Sequence, residues 1–131
     1  MLPAIEIVDS RHPNGPQGPG ELVADNVSGA GYVLGAALPF EKSFDFEGCH
    51  AQVDLNGSPS RKGLGSGCLG SPLLSLRWLS AELLRRGRRL RAGDLVLAGS
   101  LVTPVAAEPG DDVRVAIDGL GTVDISFAEA A

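Results

Sequence analysis

The chain has 131 residues, enough for one domain that buries its core without disulfide or metal staples. Its composition, 44% hydrophobic and 21% charged, excludes a disordered chain or a coiled coil, and a net charge of −5 opposes a polyanionic partner, nucleic acid included. Eighteen glycines and nine prolines imply many short elements joined by tight turns, and hence a β-rich architecture.

In chain order, Leu2-Pro3-Ala4-Ile5-Glu6-Ile7-Val8-Asp9 reads as a buried strand, apolar on both sides of a single carboxylate. His12 to Gly20, dominated by Pro and Gly, reads as a loop. From Leu22 a stretch of small residues leads into a second strand that ends at Gly35. Cys49 to Leu55 alternates apolar and polar residues and runs into Asn56-Gly57, the signature of a hairpin whose return strand covers Ser60 to Gly65. Ser71-Pro72 opens the one convincing helix, which the spacing carries to about Arg86. Leu73, Leu76, Leu79 and Leu83 give it a stripe for burial, widened by Leu74, Trp78 and Ala81, and Gly87 stops it. Leu90 to Asp94 is a turn into a buried strand over Leu95 to Ser100. After a turn at Pro109-Gly110-Asp111, Val113–Ile117 and Thr122–Phe127 form a closing hairpin, and no internal repeat is visible.

Arg85, Arg86, Arg88, Arg89 and Arg91 gather at the end of the expected helix, where they face the negative end of its dipole; a phosphate patch is the less favoured reading. Cys49 and Cys68 have no zinc or redox spacing and read as small buried apolar residues. No apolar run approaches the ~20 residues that span a bilayer, and a secretory pattern is missing at the amino terminus, so a cytoplasmic location without membrane partners is expected.

Glu6 is the first candidate for chemistry, because a lone carboxylate in an apolar strand is costly unless a cation compensates it. A divalent metal would do so, and so would a salt bridge to Arg11. Asp25 and Asn26 sit among small residues, where such side chains either close turns or orient a ligand's oxygens. Ser100, after Gly99 at the end of an expected strand, is placed to offer a hydroxyl and an N–H to a substrate. His12 and His50 are isolated, and no nucleophile elbow, P-loop or dinucleotide fingerprint occurs.

Four segments, in this order and spacing, carry a resemblance: Pro3 to Arg11, Ala24-Asp25-Asn26, Gly67-Cys68-Leu69-Gly70-Ser71-Pro72, and Leu90-Arg91-Ala92-Gly93-Asp94. They continue through Gly99-Ser100-Leu101, Pro109-Gly110-Asp111 and Gly119-Leu120-Gly121, so the likeness covers essentially the whole chain. The chain resembles the 2-oxopent-4-enoate hydratase and 4-oxalocrotonate decarboxylase family of the fumarylacetoacetate hydrolase superfamily. The resemblance implies an α+β, β-rich fold, a mixed β-sandwich roll with one main α-helix, formed here by a single truncated domain over residues 1–131. It implies a hydratase- or lyase-type enzyme acting on an enolisable 2-oxo acid or 2-hydroxy-dienoate with magnesium or manganese. A non-catalytic subunit or small-molecule-binding protein of the same fold is the alternative.

The family's Pro-Ala-Ile-Glu glutamate, one of three acidic metal ligands, maps onto Glu6. Asp25, Asn26, Ser100 and Leu101 are then the candidate substrate-binding residues. The family's other two ligands form a Glu-x-Glu pair on an upstream strand, with a catalytic lysine and aspartate further upstream. These motifs are not found in this chain, and a homo-oligomer or a partner subunit carrying the upstream half is expected to complete the site. Two positions depart from the pattern: Ser71 stands where the family commonly has histidine, and the Pro/Gly loop at 13–20 replaces an Arg-Asp-Trp-like segment.

Overall fold

Period-two patterning sets the larger of two sheets. The computed structural model describes residues 1–129, and within them β3 (His50–Leu55), β4 (Ser58–Leu64), β5 (Asp112–Ile117) and β6 (Gly121–Ser126) form an antiparallel sheet in the order β4-β3-β5-β6. Its register sets Val53 opposite Val115 and Val115 opposite Val123, so one face gathers the β-branched residues. Ala51, Val53, Val113 and Val123 on that face are buried, together with Cys49 and Cys68, and they make the core. Gln52, Asp54, Arg114 and Asp124 alternate onto the wet face, where Arg114 and Asp124 stand 3.5 Å apart. Asn56 and Gly57 form the hairpin turn expected from the sequence, and their φ of 51° and 76° are those of type I′. The return strand starts at Ser58, earlier than expected, and its Pro59 and Lys62 suit an edge position.

The second sheet is a two-stranded antiparallel ribbon of β1 (Ala4–Val8) and β2 (Gly29–Leu34), which touches the first sheet through β6. The expectation of a fully buried first strand is corrected here. Ile5 and Ile7 turn inward, whereas Glu6 and Val8 are exposed, because a ribbon of two strands has only one of its faces against the rest of the chain. The second strand is also shorter than expected. Pro19 opens a helix, α1 (Pro19–Ala24), and a 3-10 turn spans Asn26–Ser28, so extended backbone begins only at Gly29.

The main helix, α2 (Pro72–Arg85), has the expected bounds. At its end Gly87 adopts φ 68°, and the Arg88 and Gly87 N–H groups donate to the Leu83 and Leu84 carbonyls at 2.8 and 3.0 Å, a Schellman stop. Its apolar stripe is not buried, contrary to expectation: no α2 residue is buried, and Trp78 and Leu84 are each 63% exposed. An amphipathic helix needs a second layer, and no sheet or second helix among the described residues packs closely over this one, so its side chains are at most half-buried.

Leu95 to Ser100, expected as a buried strand, pairs with no strand, and Leu95 and Leu97 are exposed. Strand composition alone does not make a ladder without a free edge alongside. The architecture is therefore α+β, with antiparallel sheets and one main helix. No helix among the described residues is long and apolar enough to cross a membrane.

Candidate active site

Glu6 lies at the middle of β1 directly opposite Tyr32 on β2, so both side chains rise from the open face of the ribbon. Val8, Tyr32 and Leu34 leave that face apolar and exposed around one carboxylate. Among the described residues Glu6 forms no ion pair and no hydrogen bond. The carboxylate reaches over the start of β2: an ideal Cβ built on Gly29 would stand 3.8 Å from Glu6 Oε1 and 3.2 Å from Asn26 Nδ2. The missing side chain at position 29 is what lets a carboxylate and an amide flank the same spot.

Asn26, Val27 and Ser28 all take left-handed φ, at 54°, 55° and 60°. Each such residue costs roughly 1–2 kcal/mol without a glycine, so three in succession need an external hold. Asp25 supplies it. Its side chain is fully buried and accepts hydrogen bonds from Ser10 Oγ (2.9 Å), Ser28 Oγ (2.9 Å), the Arg11 N–H (3.1 Å) and Arg11 Nε (2.7 Å). Arg11 also donates to the Asp25 carbonyl, and the Asp9 N–H donates to the Ser28 carbonyl at 2.8 Å. The exit of β1 and the entry of β2 are thus fastened to one carboxylate. Burial pushes that carboxyl up, but the Ser10 and Ser28 hydroxyls, the Arg11 N–H and the Arg11 charge outweigh it and lower it to about 2.

Arg11 therefore pairs with Asp25 and not with Glu6. The Asp25 carboxylate is engaged wholly within the chain, which gives it the geometry of an anchor, while the Asn26 amide, donating only to the Gly29 carbonyl at 3.4 Å, stays exposed beside Glu6. Ser100 and Leu101 lie on a different segment, against β4. The Leu101 carbonyl packs where Gly63 leaves no room for a Cβ, and Cys68 Sγ donates to the Ala98 carbonyl at 2.7 Å. Ser100 Oγ donates to the Val102 carbonyl at 2.6 Å.

The Glu6 carboxylate and the Asn26 amide flank Gly29, then, with Asp25 anchoring the turn that carries Asn26, while Ser100 and Leu101 come from the other sheet's border. Tyr32, Ser10, Ser28 and Gly29 join the first group without having been read from the sequence. No group of three His, Cys, Asp or Glu suited to a metal exists among the described residues. Magnesium takes its shell from several oxygens, and the one carboxylate of this ribbon does not make such a site alone.

The model for the fumarylacetoacetate hydrolase C-terminal family matches residues 11–127. This chain belongs to the fumarylacetoacetate hydrolase family. Its relatives include the TodF product hydratase of Pseudomonas putida, 41% identical over 129 residues, with 98% of this chain and 48% of the relative covered. The 2-keto-4-pentenoate hydratase 1 of Dechloromonas aromatica is 42% identical over 127 residues, covering 97% and 48%. Among solved structures, the 4-oxalocrotonate decarboxylase of Pseudomonas putida G7, complexed with magnesium and adipate, superposes with a TM-score of 0.88 at 32% identity, covering 96% of this chain and 48% of that one. The chain spans about half the length of these relatives, and the half it matches is the C-terminal one. Hydratases and decarboxylases of the fumarylacetoacetate hydrolase superfamily are thus its kin, as the motifs implied.

Proposed function

We propose that this chain is the C-terminal half of a hydratase- or lyase-type active site for an enolisable 2-oxo acid or 2-hydroxy-dienoate. In this reading Glu6 is one oxygen ligand of a magnesium or manganese site, and carboxylates from an upstream segment or a partner chain supply the rest. The observation that carries it is the unpaired Glu6 carboxylate on an exposed apolar face, beside the Asn26 amide and opposite Tyr32. A bare carboxylate among apolar groups is a poor surface but a sound half of an interface. The decarboxylase relative, whose structures are complexed with magnesium and with calcium, supports the same reading.

The roles of this chain's own residues follow from their chemistry. Asn26 and Tyr32 present donors suited to a substrate carboxylate or enol oxygen, and Asp25 positions Asn26 by holding the left-handed turn. Ser100 and Leu101 add a hydroxyl and a backbone group from the segment along β4. When bound, the divalent ion would stabilise negative charge on the substrate's enol oxygen. Closure of the two sheets into a sandwich roll belongs to the completed assembly.

The test is co-expression of this chain with a polypeptide matching the upstream half of a 2-keto-4-pentenoate hydratase. A complex that binds Mn²⁺ by calorimetry and hydrates 2-keto-4-pentenoate is expected. Glu6→Gln should weaken the metal by at least about 100-fold, since even an outer partner of a ligand is worth 10–100-fold. Equal metal affinity in the variant complex would sink the reading. The second reading, a non-catalytic subunit, draws on the lack of an acidic trio among the described residues, and it predicts a complex with no turnover in either form.

A further inference from the structure

We propose that the C-terminal end of α2 is a binding site for a small multivalent anion, a molecule that presents two or more phosphate or carboxylate groups. Five arginines lie between positions 85 and 91, while sixteen carboxylates face only six Lys and Arg in the rest of the chain. Helix-end electrostatics account for the first two. Arg85 and Arg86 belong to the last turn, and both reach Glu82, at 3.5 and 2.7 Å.

The other three come after the stop. The Schellman turn at Gly87 redirects the chain across the helix end, so that Arg88, Arg89 and Arg91 line a cleft of about 700 Å³ with Leu84 and Asp94. None of these three guanidiniums has a carboxylate partner among the described residues. Asp94, the one acid in the wall, accepts the Arg91 backbone N–H at 2.7 Å; the bond fixes the 91–94 turn and leaves the guanidiniums free.

Three guanidiniums around one concavity repel one another until a counter-charge sits among them. Their planar forks match the oxygen pairs of phosphate and carboxylate, which a scatter of lysines would not. The cleft has the volume of a metabolite site, and the exposed Leu84 gives the ligand's carbon frame an apolar wall. No aromatic ring lines it to stack on bases, so a nucleic acid fits it poorly. The site stands on residues separate from the Glu6 ribbon, and Asp94 begins the segment that leads to Ser100 and Leu101.

Calorimetric titration of the full chain at low salt, with sodium pyrophosphate and separately with citrate, tests this. Saturable binding of at least one anion near 1:1 is expected, weakening as salt is raised. Whichever binds more tightly tells phosphate from carboxylate chemistry. The double variant Arg88→Ala/Arg89→Ala should lose about 10-fold or more in affinity, and Arg88→Lys/Arg89→Lys a smaller factor, because charge is kept and the fork is lost. Arg77→Ala, on the same helix but outside the cleft, should bind as the parent does. No saturation by either anion up to about 1 mM, or losses as large in Arg77→Ala as in the double variant, would overturn the proposal.

Discussion

Asp25 couples the local structure to pH in one direction. Its carboxyl lies at about 2 in the folded chain against an ordinary 3.8, so in acid the unfolded chain binds more protons than the folded one. Stability from this group is present in full above about pH 4 and is lost as pH falls through about 2. A plot of Tm against pH should therefore drop over that window. Asp25→Asn should flatten the drop and lower Tm at neutral pH by roughly 5 °C or more, because the amide cannot accept from four donors and leaves Arg11 unpaired. An unchanged acid limb in the variant would show that another carboxylate sets it. At this scale the sequence was readable where the chemistry sits in one residue. Glu6 stands out because a carboxylate interrupts an apolar run. The Asp25 anchor does not, because its donors come from positions 10, 11 and 28 and meet only once the ribbon has formed.

Elements were legible to the extent that their signals are local. Pro72 at the first helical position and Gly87 past the last one mark the bounds of α2, although the Ser71 side chain makes no cap hydrogen bond, and Asn56-Gly57 turns β3 into β4, since a fixed or positive φ is a property of a few adjacent residues. Leu95 to Ser100 has the composition of a strand but pairs with none, because pairing depends on an edge elsewhere. The α2 stripe shows the same gap: periodicity says which side is apolar, and nothing about what covers it. The contrast yields a pair of mutational expectations. Val53→Ala, in the buried centre of β3, should cost about 1–2.5 kcal/mol from lost methyl groups and the space left behind. Trp78→Ser, at a side chain 63% exposed, should stay within about 0.5 kcal/mol in the isolated chain. Urea denaturation of both measures this, and a Trp78 variant as costly as the Val53 one would mean that the helix face is packed in solution.

For the molecule as a whole, order is concentrated in one place. The buried core comes from β3, β5 and β6 with Cys49, Cys68 and Pro3, while the β1–β2 ribbon and α2 each expose an apolar side to solvent. Exposed faces of this kind favour association, either of copies of this chain or with the upstream half of a relative. Local stability should follow the same division, because segments with few buried contacts open more readily than the global transition. Amide hydrogen exchange on the isolated chain should find Val53, Val115 and Val123 slowest, at the centre of the paired strands, and the α2 and β1 amides faster. Adding the upstream polypeptide should slow α2 and β1 by about 10-fold or more while leaving the sheet centre near its original rate. Protection confined to the sheet in both states would mean that the added chain does not cover these faces, and the half-site reading of Glu6 would then lose its physical basis, since its carboxylate would remain in water with no further ligands beside it.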